Sequence, residues 1–266
     1  MSNSSVGLGT TQPQKSLKIL LIGESCLDEY HYGECRRLSP EAPVPVLDLH
    51  KIEVFPGMAA NVEQNLESFD VEVDFITNNS EELIKKRFVD AKSQQQILRE
   101  DMGARVDPFD LASIENLNDY DAIVFSDYDK GLIPWESAEF ICKHYDGLKF
   151  VDSKKCDLTC YTGAVIKVNE YEAEDALALP ERHTLIVTKG SKGAEWNNTL
   201  YEAPPVSVYD VSGAGDVFLA TLASTLCREN NYILGMPFAI KKAVAMASLS
   251  VQHSGTYKLT KEDIKS

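Results

Sequence analysis

The sequence predicts an α/β fold with a central, mostly parallel sheet and a smaller side sheet. Three observations lead there. Apolar runs at 17–22, 122–125, 148–151, 164–168 and 185–187 are short and rich in β-branched residues, as suits strands buried on both faces. Helical patterns at 134–145, 170–179, 215–227 and 237–253 lie between or after them, and strands alternating with helices imply parallel crossovers. Two early β segments break that rhythm, and a small side sheet absorbs them.

Taken in order, residues 1–16 are polar, rich in Ser, Thr and Gln, and lack the apolar core of a signal peptide; they read as a disordered tail. One domain is expected over 17–266. The first strand, 17–22, ends at Gly23. Val44, Val46, Leu47 and Leu49, flanked by prolines, read as an edge strand. Phe55-Pro56-Gly57 is expected to break the chain. Ala59, Val62, Leu66 and Phe69 then share one helical face, and 71–76 alternates as a strand. Residues 85–101 read as two short polar strands outside the core. No internal repeat and no linker marks a second domain.

Composition narrows the function. At 266 residues and 44% hydrophobic content the chain can bury a full core. A net charge of −15 argues against nucleic acid or an anionic membrane surface as the main partner. Local lysines and arginines still allow an anionic small substrate. No stretch of about 18 apolar residues stands out, so no transmembrane helix is expected. The six cysteines (26, 35, 142, 156, 160 and 227) and five histidines form no metal-ligand pattern. Reduced thiols, and hence the cytoplasm, are expected.

The most informative segment is Val208-Tyr209-Asp210-Val211-Ser212-Gly213-Ala214-Gly215-Asp216, which leads into an apolar helical run. A helix start carries unpaired N–H groups and partial positive charge, and glycines let an anion approach them. Asp216 then sets a carboxylate beside an anion site. A charge cradle with a proton acceptor is what phosphoryl transfer to a hydroxyl requires. Gly-Ala-Gly-Asp alone reads first as a tight turn capped by Asp.

Several segments together resemble the ribokinase-like (pfkB) carbohydrate kinases. Gly57-Met58-Ala59-Ala60-Asn61-Val62 is similar to that family's N-terminal glycine signature, and 210–216 to its C-terminal signature. Their order and separation fit, and the resemblance runs over 17–260. Within the family it points to heptose 7-phosphate kinases, the kinase half of ADP-heptose synthesis. Leu38-Ser39-Pro40-Glu41-Ala42-Pro43-Val44-Pro45-Val46 is the most specific piece. Segments 23–30, 126–131 and 209–212 are similar to the same group.

The resemblance implies a ribokinase-like three-layer fold with a small β lid formed near 31–55 and 85–101. It implies ATP and Mg²⁺, phosphorylation of the anomeric hydroxyl of a sugar phosphate, and a homodimer through the lid. It implies that Asp216 is the general base and that Gly213, Ala214 and Gly215 form an anion hole. Asn169 and Glu172, in Asn-x-x-Glu, would support Mg²⁺ through its waters; by residue type they are also an ordinary helix cap. Thr188 and Gly190 would lie near the nucleotide. Glu24, Asp28, Gly57 and Asn61 would meet the sugar. Lys154 and Lys130 would lie near substrate phosphates, and Arg87 and Arg99 would reach a sugar phosphate; solvated surface positions are an equal reading for these four. Asp210 and Ser212 match a loop that contributes to a monovalent cation site in many relatives.

The chain also departs from the family. Glu24 replaces the usual Asp, Met58 replaces the second glycine of a Gly-Gly, and Asp152-Ser153-Lys154 stands for Asp-Pro-Lys. Val244 stands where many relatives have an Asn near the adenine, and 77–85 is short. A nucleotidyltransferase half is not expected. The rival readings are a kinase for a different sugar, a degenerate sugar- or nucleotide-binding relative without turnover, and a nucleoside kinase.

Overall fold

The structure, a computed structural model, describes residues 16–174 and 178–265. The expected tail, apart from Ser16, lies outside the described residues. Along the chain come β1 (Leu17–Gly23), β2 (Ser25–Leu38), β3 (Pro45–Met58), α1 (Ala59–Ser68), β4 (Val71–Ile76), β5 (Ile84–Asp90) and β6 (Gln95–Met102). Then follow β7 (Ala122–Asp127), α2 (Trp135–His144), β8 (Leu148–Ser153), β9 (Val165–Asn169), α3 (Glu170–Glu174) and β10 (Thr184–Thr188). A hairpin of β11 (Ala194–Trp196) and β12 (Thr199–Tyr201) precedes α4 (Ala214–Leu226), α5 (Tyr232–Ser250) and α6 (Lys261–Lys265).

The apolar runs become the inner strands. The main sheet has the order β12-β11-β10-β9-β8-β7-β1-β4, parallel from β10 to β4, with β11 and β12 antiparallel at one edge. Ile19, Leu20, Leu21 and Ile22 are all buried because both faces are covered. On one face Leu21, Val124 and Phe150 pack with Val62 and Leu66 of α1, Phe218 and Leu222 of α4 and Ile240 of α5. On the other, Leu20, Ile123 and Phe125 pack with Ile141 of α2 and with Leu158 and Tyr161. The result is three layers, helix on sheet on helix.

The second sheet has the order β3-β2-β5-β6. It contains both segments that broke the α/β rhythm. β2 pairs antiparallel with β3 and parallel with β5, and β5 pairs antiparallel with β6. Its inner side buries Asp28, Tyr30, Arg87 and Val89, while Leu49, Ile52, Val54 and Leu98 are exposed.

Three expectations are corrected. β3 runs through Phe55-Pro56-Gly57 to Met58 without a break. It is an edge strand, where proline is tolerated, and the Pro56 carbonyl accepts from Thr256 Oγ1 at 2.8 Å. The helix expected over 170–179 ends at Glu174; 175–177 lie outside the described residues, and Ala178 forms an isolated bridge with Asp157. α5 begins five residues before the expected 237, because Asn231 caps it by accepting the N–H groups of Ile233 and Leu234. With that extension α5 has the length and composition of a membrane span, a weak sign that a buried core helix gives equally. It carries Lys241 and Lys242, and packs Ala239, Ile240 and Ala243 into the core.

Candidate active site

α4 starts beside the carboxyl-terminal ends of the parallel strands, the usual place for a site in an open α/β sheet. Gly213 caps it with φ 76°, a left-handed conformation suited to glycine. A side chain there would also meet Asn61 Nδ2, 2.5 Å from an added Cβ. Asp216 lies in the first turn and is 5% exposed. Its Oδ2 accepts from Asn61 Nδ2 at 3.0 Å and its Oδ1 from the Tyr128 hydroxyl at 3.0 Å. Asn61 is itself held by Asn65, whose amide donates to its carbonyl at 2.8 Å and to its Oδ1 at 3.1 Å.

Burial pushes the Asp216 carboxyl up to about 6. The nearby Asp152 charge adds to the rise, while Asn61, Lys167 and Tyr128 oppose it. The carboxylate is therefore poised to take a proton near neutrality while remaining ionised above that value.

A chain of charges runs beneath it. Lys167, almost fully buried, pairs with Asp152, its direct neighbour in the β8–β9 register. A Cβ on Gly215 would sit 3.0 Å from Lys167 Nζ, so this ammonium underlies the start of α4. Asp152 also meets Lys154 at 3.4 Å, and Lys154 pairs with Glu172. Burial alone would raise the Asp152 carboxyl, but Lys167 and Lys154 outweigh it and hold it low. Lys154 Nζ lies 5.7 Å from the Tyr128 ring centroid, and Lys85 Nζ, from β5, lies 5.0 Å from it. Lys167 thus lies near Asp216, while Lys154 and Lys85 approach the ring of Tyr128, and Asp152 and Glu172 offset two of the three charges.

Asn169 and Glu172 form a reciprocal capping box. The Glu172 N–H donates to Asn169 Oδ1 at 2.9 Å, and the Asn169 N–H donates to Glu172 Oε2 at 2.8 Å. Among the described residues no group of three or more His, Cys, Asp or Glu could hold a metal. The hard oxygens of this pair fit a Mg²⁺ ion that keeps its waters and is bound mainly by substrate phosphates. Thr188 is in register with Asn169 at the same end of the sheet, and its hydroxyl donates to the Val168 carbonyl at 3.2 Å. Gly190 follows with φ 54° and open space where a Cβ would be.

In the side sheet, Asp28 pairs with Arg87, whose guanidinium lies 5.0 Å from the Tyr30 ring centroid. Gly57 packs directly on Asp28, and any Cβ there would collide with its carboxylate. Arg87 is therefore neutralised within the sheet. Arg99 lies exposed on β6 and binds Asp101 through two bonds of 2.6 and 2.7 Å. Asp210 accepts from the Tyr30 hydroxyl at 2.8 Å, the Ser212 N–H at 2.9 Å and the Gly255 N–H at 3.1 Å, which closes the loop before α4. Val244 is buried in the core.

Glu24 differs from its expected place. It is fully buried and accepts the N–H groups of Tyr128, Lys130 and Leu132 at 2.8, 3.0 and 3.2 Å. It braces the loop that delivers Tyr128 and turns no free face to a substrate. Sequence reasoning also gave no role to Lys167, Tyr128, Lys85 or Asn65. The signal for Lys167 was a lone lysine inside the apolar run 164–168.

A family model described as pfkB family carbohydrate kinase matches residues 161–263. Among curated proteins, the bifunctional protein HldE of a Nitratiruptor species is 30% identical over 286 residues, covering 88% of this chain and 60% of that protein. The protein of the same name from Campylobacter jejuni is 31% identical over 285 residues, with 88% and 62% covered. The chain thus spans 60 to 62% of the length of these relatives. The structure of phosphofructokinase-2 from Escherichia coli in complex with substrates and products aligns with a TM-score of 0.72 at 15% identity, over 94% of this chain and 97% of that one. That likeness shows the ribokinase-like fold.

Proposed function

From its match to the pfkB family of carbohydrate kinases over residues 161–263 and its 30% identity to HldE, we propose that the chain is a carbohydrate kinase of that family that moves the γ-phosphoryl group of ATP onto the anomeric hydroxyl of a heptose 7-phosphate, forming the 1,7-bisphosphate. The observation that carries the reading is Asp216: a buried carboxylate, poised near neutrality, in the first turn of α4 with Lys167 beneath it.

In this mechanism the sugar hydroxyl gives its proton to Asp216 as its oxygen attacks the γ-phosphorus. The bond from that phosphorus to the β-bridging oxygen breaks, and ADP leaves. Asn61 and Tyr128 fix both oxygens of the base. The N–H groups at Gly213, Gly215 and Asp216 face the charge on the transferring group, with Lys167 adding to their field, while the Ala214 N–H donates to the Val211 carbonyl at 3.3 Å and shapes the turn. Asn169 and Glu172 would hold the waters of a Mg²⁺ ion, which when bound neutralises phosphate charge. Thr188 and Gly190 serve the nucleotide. Asp28, Gly57 and Asn61 border the sugar. Lys154, with Lys85, supplies positive charge for a substrate phosphate. Glu24 positions the Tyr128 loop in place of the sugar contact expected of it. The side sheet acts as a lid that keeps water from the phosphoryl group. The exposed Leu49, Ile52 and Val54 support pairing of lids between two copies.

A second reading, a kinase for another sugar phosphate, is favoured by Met58 at the junction of β3 and α1. The experiment is ATP consumption with Mg²⁺ across a panel of sugars and sugar 7-phosphates, with Asp216→Asn in parallel. Turnover on a heptose 7-phosphate that falls by about 10²–10⁴-fold in the variant is expected. Turnover confined to another sugar would transfer the mechanism to that substrate. Nucleotide binding without turnover on any sugar would refute the kinase assignment.

A further inference from the structure

At the end of the main sheet opposite Asp216 lies a cavity of about 720 Å³, a ligand-sized volume. Its walls come from the start of β1, the ends of α1 and α4, one face of α5, and α6. In a chain of net charge −15 this lining is basic. Among the described residues that line it, Arg228, Lys242, Lys261 and Lys265 are set against two acids, Asp70 and Glu229, and Asp70 is bound to Lys261 at 2.6 Å.

The cations have distinct jobs. Arg228 donates to the Ser224 carbonyl and, at 2.6 Å, to the Phe69 carbonyl. It thereby answers the partial negative charge where α4 and α1 end. Lys242 has no carboxylate partner among the described residues; its ammonium lies 5.4 Å from the Phe69 ring centroid. Among the described residues, the buried Ser224 and Thr225 hydroxyl oxygens behind the same wall have no hydrogen-bond partner. Buried hydroxyls and a half-buried ammonium are normally satisfied. Leu17, Phe69, Phe238 and Ile264 supply apolar surface beside them.

We propose that this cavity is a second binding site, for a small organic anion: a phosphate or carboxylate carried on an apolar or aromatic body. Lys242 meets the charge, and the body lies against Phe238. The site is separate from the catalytic cleft, and its existence does not depend on which sugar the cleft takes.

The test is calorimetric titration of the full chain with 1-naphthyl phosphate, with 1-naphthol and inorganic phosphate as the two halves of the probe. One 1-naphthyl phosphate per chain is expected, with each half at least about tenfold weaker. Lys242→Gln should weaken binding by about tenfold or more, since a charged hydrogen bond is lost. Lys242→Arg should stay within about threefold, because charge is kept. Saturating ATP with Mg²⁺ should displace nothing. The proposal fails if the probe does not bind, if Lys242→Gln leaves affinity unchanged, if Lys242→Arg loses it equally, or if ATP competes.

Discussion

In the role proposed for it, Asp216 answers two opposed demands. A base must be ionised to accept a proton, while burial favours the neutral acid. With its carboxyl pushed up to about 6, kcat/KM should rise with pH through about 6 and level off above it. Stability runs the other way. The folded state holds this proton more tightly than the unfolded chain, so the contribution is fully present below the unfolded value and is lost as pH rises through about 6. Asp216→Asn removes that loss. The variant should be more stable than the wild type at pH 8 by up to about 3 kcal/mol, with the gain vanishing near pH 4. Urea melts at the two pH values would check this, and a difference that ignores pH would refute it. Asp216 and the Asn169–Glu172 pair were visible in the sequence because each belongs to a short continuous motif. The Lys167–Asp152 pair was not, because those residues meet only through the β8–β9 register.

The junction of β3 and α1 shows how one substitution reshapes an element. Met58 is buried and holds φ 60° and ψ −133°, a conformation that favours glycine. The family resemblance expects glycine there, and the chain carries a side chain that fills the core instead. Both Met58→Ala and Met58→Gly lose that packing, but only glycine relieves the backbone. Met58→Gly should therefore be the more stable of the two by about 1–3 kcal/mol, against the usual order of Ala over Gly. Denaturant unfolding of the pair decides it, and alanine proving the more stable would contradict the strain. Elements were legible where hydrophobicity was continuous, as in β1, β7, β8, β9 and β10. They were not legible where tertiary context decided. Pro56 could remain in β3 because that strand is an edge, and the three-residue strands β11 and β12 are too short to show a period.

Across the whole molecule, the side sheet is tied to the body by side chains far apart in sequence. Tyr30 donates to Asp210, Tyr32 bonds Ser254 at 2.8 Å, Thr256 donates to Pro56, and Tyr209 donates to Gln94. Tyr32→Phe cuts one tie worth about 0.5–1.5 kcal/mol. The melting temperature should drop by only about 2–4 °C, while amide exchange in β5 and β6 accelerates and KM for the sugar rises. Unchanged exchange would mean that other contacts hold the sheet closed. The β segments of the side sheet could be read from sequence, but these ties could not, since each joins positions that nothing local connects. α4 spans the body more directly. It starts at the base and ends at the Arg228 cavity, thirteen residues and roughly 20 Å away, with every residue from Asp216 to Leu226 buried. An element held on every side along its length keeps its register, so the depth at which Asp216 sits is fixed by packing as far away as Leu226.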